Sequence, residues 1–277
     1  MKNTNRFVVI PLCVIVMTIV ICVSVLPLVW TLLSSFKTDL EIFASPIAFP
    51  EKLSFNSYGY VFKSAPVFTF LFNSLVVCFG GVLLNIFVVG MAAYVVARRE
   101  FKTKNLFVML VAMTMFVPAI CAQFPVYMMY NKVGLINTKL GLILLFAGSA
   151  VSLTFFILRG NFMSIPRDIE EAAYIDGAGF FRTYIQIMMP MVVPGIMVAG
   201  VMLFINLWNN FLTPLIFTHS ENARTLSVML NYFMSTFATN YSAMFAAIII
   251  TVIPNVIIYL IFSDKIVGGL TDGSVKG

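Results

Sequence analysis

Six long uncharged stretches, each near the roughly 20 apolar residues that a helix needs to cross a hydrocarbon core, set the pattern of this chain. Their cores run over 8–33, 70–96, 106–127, 140–158, 192–211 and 244–262, separated by charged or turn-rich segments. Backbone polar groups in lipid must be satisfied within their own segment, so each stretch reads as an α-helix. The pattern predicts an all-α integral membrane protein in which residues 1–277 form a single domain of six transmembrane helices, with a tail over 263–277.

Composition agrees: 61% of residues are hydrophobic and 10% are charged, too few polar groups to cover an ordinary soluble domain. The net charge of +6 would suit a nucleic acid or an acidic surface. The basic residues are spread between the apolar blocks and form no patch, which excludes nucleic acid and leaves membrane lipid as the surrounding medium. Six spans place both termini on one side. The Arg98, Arg99, Lys102, Lys104 cluster then predicts cytoplasmic N- and C-termini, since basic residues concentrate on that face. Lys2 and Arg6 precede an uncharged run from Phe7 to Phe36, far longer than the roughly 7–15 residues of a signal-peptide core. It reads as a retained anchor.

Cys13, Cys22, Cys78 and Cys121 all fall inside apolar runs without metal-ligand spacing and read as small buried hydrophobes. No metal site is expected. The expected spans contain no Asp, Glu, Lys, Arg or His, which argues against an ion-coupled carrier with ionisable groups at membrane depth. They do contain Asn73, Asn85, Gln123, Asn206, Asn209, Asn210 and Asn255, whose amides suit either inter-helix hydrogen bonds or a polar solute. Trp208, Asn209 and Asn210 are the candidate substrate pathway, because an aromatic face beside amides matches a sugar ring. Gly80, Gly81, Gly90, Ala92 and Ala93 predict close helix approach in the second span. Pro190, Pro194 and Gly195 predict a break before the fifth.

The segment 159–190, between spans four and five, is too long for a plain turn. In SIPRDIEEAAYIDGAG, Ser164 predicts an N-cap, Pro166 suits a first turn, and Asp168, Glu170 and Glu171 place negative charge at the positive end of the helix dipole. Gly177 and Gly179 predict the stop. The expected product is a cytoplasmic helix over about 165–176, with Ala172 and Ala173 giving a low surface for docking into a partner's groove.

From Glu171 the chain reads EAAYIDGAGFFRTYIQIMMP. This resembles the signature of bacterial ATP-binding-cassette importer permeases: EAA, three residues, Gly, nine residues, Ile, one residue, Leu-Pro, with Met189 in the Leu position. The likeness extends to FLFNSLVV (Phe70–Val77), AAYVVARREF (Ala92–Phe101), PVYMMYNKVGLINTKLGLIL (Pro125–Leu144), WNNFLTPLIF (Trp208–Phe217) and the tail GLTDGSVKG (Gly269–Gly277). These are similar to carbohydrate-uptake permeases, in particular the second, six-span permease of maltose-type transporters. The resemblance implies that 165–176 is the coupling helix docked on an ATPase, carried by Glu170, Glu171, Ala172, Ala173, Gly177, Ile187 and Pro190. It implies a flexible, extended C-terminal tail reaching the ATPase pair through Gly269, Gly273 and Gly277.

The resemblance further implies a place in the bacterial cytoplasmic (inner) membrane. Its partners there are an ATP-binding-cassette ATPase dimer, a second homologous permease and an extracellular solute-binding protein that meets the outer loops. The third outer loop, expected over 212–243, holds the sole histidine, His219, which reads as a surface residue. No G-x-x-x-x-G-K-[ST] phosphate loop occurs, so ATP and Mg belong to the partner and this chain carries no cofactor and no catalytic residue. The resemblance implies a sugar, oligosaccharide or polyol as cargo, with a non-sugar solute such as glycerol phosphate open beside it. A membrane-embedded enzyme lacks a nucleophile–base pair, and a structural scaffold leaves the coupling signature unexplained.

Overall fold

The computed structural model describes the backbone over residues 4–234 and 240–274, and side chains over 9–234 and 240–263. Every regular element among the described residues is helical. In chain order these are α1 (Thr4–Ser34), α2 (Asp39–Ala44), α3 (Asn56–Ser64), α4 (Val67–Arg98), α5 (Lys104–Met113), α6 (Ala119–Lys132), α7 (Lys139–Ala147), α8 (Val151–Ser164) and α9 (Arg167–Ile175). There follow α10 (Phe180–Arg182), a π-helical turn (Thr183–Met188), α11 (Met189–Met191), α12 (Val193–Trp208), α13 (Leu212–Phe217), a 3-10 segment (Leu226–Phe233) and α14 (Tyr241–Ser274).

Three helices, Val9–Ser34, Val67–Arg98 and the Tyr241–Ser263 part of α14, are each long and apolar enough to cross a membrane unaided. Of the other expected spans, 106–127 and 140–158 are interrupted helices, and 192–211 holds the unbroken but short α12, which meets the preceding helix at a bend. Lys104–Phe116 meets Ala119–Lys132 at 101°, Lys139–Ala147 meets Val151–Ser164 at 54°, and Phe180–Met191 meets Val193–Trp208 at 80°. Each break coincides with a distinct backbone feature. Pro118, with φ −62° and ψ 125°, supplies no N–H at the start of α6. Ala150 adopts a left-handed φ of 50° before α8. Pro194 sits in the first turn of α12 behind Val192, so the predicted break before the fifth stretch is present.

The chain divides into two compact units, Met1–Val67 with Met229–Ile253, and Phe68–Val228 with Pro254–Gly277. In the first, the Trp30 indole N–H donates to the Pro46 carbonyl at 2.7 Å, and its ring meets Phe245 edge-on at 5.1 Å. Asp39 accepts the Ser242 N–H at 2.8 Å and the Tyr241 N–H at 3.3 Å, placing a carboxylate on the positive end of α14. A Thr38–Glu41 capping box starts α2. From Val9 to Leu32 the large apolar side chains of α1 are exposed, as expected for a helix whose solvent is lipid.

In the second unit, α4 contributes Val89, Ala93, Tyr94 and Val96 to the apolar core. Gly81 lets it approach α7 so closely that an added Cβ would stand 2.7 Å from Phe146 Cβ, as the small-residue pattern predicts. Most of the span amides are taken up in packing: Asn73 donates to the Glu221 and Arg224 carbonyls, Asn85 to those of Ala147 and Ser149, and Gln123 to Thr213 Oγ1. The cysteine expectation holds only for Cys78. Cys13, Cys22 and Cys121 are exposed on apolar helix surfaces, since residues facing lipid need be no less hydrophobic than those facing the core.

The C-terminal stretch also departs from expectation. The helix α14 continues through Gly269 and Gly273 to Ser274, in place of an extended tail, and Gly277 lies outside the described residues. The 212–243 loop is partly structured as α13 and the 3-10 segment, with exposed His219 held through its backbone N–H to Asn137 Oδ1 at 2.9 Å.

Candidate functional site

The segment singled out by its acidic, alanine-rich pattern folds as α9, Arg167–Ile175, within the expected bounds. Its start differs from the prediction. Ser164 is not the cap: it remains in α8, and its hydroxyl donates back to the Asn161 carbonyl at 2.8 Å. Pro166 takes the N-cap position and restricts Ile165 to an extended conformation, with ψ 132°, so α8 must end there. The stop is as predicted. Gly177 has φ 78°, its N–H bonds the Tyr174 carbonyl at 3.0 Å, and the Ala178 N–H bonds that of Ala173 at 2.9 Å. That pairing is a Schellman motif, which requires a left-handed residue.

Two faces of α9 have different work. Glu171, Ala172 and Ile175 point outward with Asp168, and Ile175 is 86% exposed. Glu170 and Ala173 point inward, which corrects their expected place on a docking surface. Glu170, 7% exposed, accepts the Tyr94 O–H at 2.7 Å, the Arg98 Nε–H at 2.8 Å and the Tyr174 O–H at 3.1 Å. Arg98 also donates to the Ile165 carbonyl at 2.8 Å and the Pro166 carbonyl at 3.1 Å, tying both ends of the α8–α9 corner to α4. Arg99 bonds the Tyr174 hydroxyl and lies over its ring, 5.3 Å from the centroid.

Burial pushes the Glu170 carboxyl up. The hydrogen bonds from Tyr94, Arg98 and Tyr174 and the Arg98 charge outweigh that, leaving its pKa below the ordinary carboxylate value. Beneath the clamp lies an apolar core that includes Tyr94, Phe155, Phe162, Tyr184 and Met188. Tyr94 stacks on Tyr184 with centroids 5.3 Å apart, and the Tyr184 O–H donates to the Phe87 carbonyl at 3.2 Å. Further along the signature, Ile187 is half-buried in the π-helical turn and Pro190 is exposed in α11.

Sequence reasoning missed Tyr94, Arg98, Arg99 and Tyr174 as parts of this site. The arginines were legible as a topology signal and, with Tyr94, as part of the AAYVVARREF likeness, neither of which gave them a place at α9.

Trp208, Asn209 and Asn210 do not form an open sugar platform. Trp208 is 3% exposed and stacks on Phe204 at 5.5 Å, because a large ring inside a span gains most by packing. Asn210 Oδ1 accepts the Thr213 N–H at 3.1 Å at the start of α13. Asn209 remains exposed and accepts from Asn255 Nδ2 at 3.2 Å. No group of three His, Cys, Asp or Glu suited to a metal occurs among the described residues.

Residues 86–264, which contain α9 and its clamp, match the family described as binding-protein-dependent transport system inner membrane component. The chain belongs to this family. Among its relatives, a diacetylchitobiose uptake system permease, NgcG of Streptomyces coelicolor, is 34% identical over 92% of this chain and 85% of its own. A sulfoquinovosyl glycerol transport system permease, SmoH of Agrobacterium fabrum, is 32% identical over 96% and 94%. A trehalose transport system permease, SugB of Mycobacterium tuberculosis, is 31% identical over 94% and 95%. The fold is shared with a chain of a bacterial ABC transporter involved in alginate import, with a TM-score of 0.80 at 19% identity, covering 95% of this chain and 97% of that one. As an inner membrane component of this family, the chain places the α9 signature within the part that the family has in common.

Proposed function

We propose that this chain is one permease subunit of an ATP-binding-cassette importer for a sugar or related oligosaccharide or polyol. Its single domain crosses the membrane six times, each bent pair counting as one span, with both termini cytoplasmic. ATP and Mg are bound by a separate ATPase dimer, a second permease completes the path, and an extracellular binding protein delivers the solute. The permeases it resembles are named for diacetylchitobiose, sulfoquinovosyl glycerol and trehalose, which supports the carbohydrate class.

The observation that carries the coupling role is the division of α9 into an outward face, Glu171, Ala172 and exposed Ile175, and an inward face fixed to α4 through Glu170. A short rigid helix with a low-relief free side and a fastened back suits docking in a cleft and passing on a displacement. Gly177 sets the turn behind it, and Ile187 and Pro190 lead into the bend before α12. The end of α14, with Gly269 and Gly273, is assigned to the same ATPase, and Gly277, the third residue of that set, lies outside the described residues. Along the solute path, Asn209 is the residue of the predicted group that keeps an exposed amide.

Purification of the chain from its native membrane tests the reading: an ATP-binding-cassette subunit is expected to co-purify, and Glu171→Lys is expected to abolish solute-stimulated ATP hydrolysis. Recovery without any ATPase, or uptake untouched by Glu171→Lys and Gly177→Val, overturns it. A thermal-shift screen of the cognate binding protein against a sugar panel then identifies the cargo.

A further inference from the structure

The clamp beneath α9 is costly to build. A carboxylate and a guanidinium are both taken out of water, and apolar residues of the same size would hold two helices together at least as firmly. What the charged pair adds is direction. A carboxylate accepting from Arg98 Nε at 2.8 Å and from the Tyr94 O–H at 2.7 Å fixes α9 in angle and register on α4, which apolar contact does not. Arg98 holds the turn itself through the Ile165 and Pro166 carbonyls. Nine residues up α4 from Tyr94, about 13 Å at the usual helical rise, Asn85 holds the two carbonyls at the break between α7 and α8. That break contains the left-handed Ala150.

We propose that Glu170, Arg98 and Tyr94 are positioning residues that make α9 and α4 move as one body, so that displacement of α9 is delivered through Asn85 to the α7–α8 break. This rests on the coupling role given to α9 above. The bend of 54° between α7 and α8 is then the place where the bundle yields, because two discrete packings need a joint and α4 offers no break of its own between Asn85 and Arg98.

The test uses the whole complex, with ATPase, second permease and lipid, in which the native cysteines of this chain are replaced by serine. A bimane probe is attached at Asp168→Cys, on the exposed side of α9, or at Gly148→Cys, at the exposed break. ATP with vanadate, which traps the closed ATPase, is expected to shift the emission of both probes when the clamp is intact. In Glu170→Gln the charge is gone and an N–H₂ replaces one of the two oxygens that accept from Tyr94, Arg98 and Tyr174, and in Tyr94→Phe one of the three donors is gone. In both variants the Asp168 probe is expected to respond as before and the Gly148 response to fall at least twofold. A full Gly148 response in both variants overturns the proposal, as does an intact-clamp complex in which Gly148 never responds. Absence of any response at Asp168 in the assembled intact-clamp complex overturns the coupling role itself. Tyr94→Phe keeps the aromatic packing, so an assembly failure of Glu170→Gln leaves the question decidable.

Discussion

Asn85 on α4 donates its two amide hydrogens across to Ala147 and Ser149, at 2.8 and 3.1 Å, where the end of α7 leaves carbonyls without helical donors. A single buried side chain thereby holds the bend between α7 and α8.

Asn85→Leu removes both bonds and takes the donor from two part-buried carbonyls, at a cost of about 1–3 kcal/mol. The thermal midpoint of the detergent-solubilised complex is expected to fall. Asn85→Asp, which keeps the shape but replaces the donors with a second acceptor, is expected to be at least as damaging. A midpoint unchanged in both would refute the role of the amide.

Gly177 stands at φ 78° with open space around its Cα, so a substitution meets strain without a clash. Gly177→Ala is expected to cost about 1 kcal/mol and Gly177→Asn distinctly less, because asparagine visits the left-handed region more readily. The ordering is checked by uptake rate and by midpoint, and equal losses for both would show that the left-handed backbone does not set the cost.

Gly81 is the opposite case. Gly81→Ala drives a methyl to 2.7 Å from Phe146 Cβ and 3.2 Å from Leu207 Cδ1, and overpacking of this kind costs about 1–3 kcal/mol. Gly59→Ala, in α3, meets nothing within 4 Å and is expected to be neutral or to raise the midpoint slightly.

The pH response of the clamp follows from the lowered pKa of Glu170. A carboxyl whose folded value lies below its unfolded one contributes fully above the unfolded pKa, about 4.3, and loses that contribution as pH falls through the folded value. The stability difference between the unaltered chain and Glu170→Gln should therefore be flat from about pH 8 to about pH 5 and narrow only in stronger acid. A difference that closes near neutrality would show that Glu170 is not held ionised.

Hydropathy alone located six apolar stretches, and the pattern 164–179 placed α9, because lipid solvation and helix punctuation act locally. The break before α12 was legible from Pro190 and Pro194. The breaks inside 106–127 and 140–158 were not read as such. Pro118 lies at the first, but Ala150 carries no mark in the sequence of a left-handed conformation, and Asn85, which holds the neighbouring carbonyls, stands on another helix.

The α9 site divides in the same way. Its bounds, its acidic start and its glycine stop belong to a few consecutive residues, so the sequence determined them, and with them the family. Which of two adjacent glutamates faces a partner and which is buried depends on where Arg98 and Tyr94 lie, more than 70 residues earlier in the chain. Helical periodicity turns Glu170 and Glu171 to different sides, but only the packing of α9 on α4 decides which side is the inside. For the same reason Trp208, which the pattern offered to a sugar, belongs to the stack on Phe204: burial of a large ring is settled by its neighbours in space.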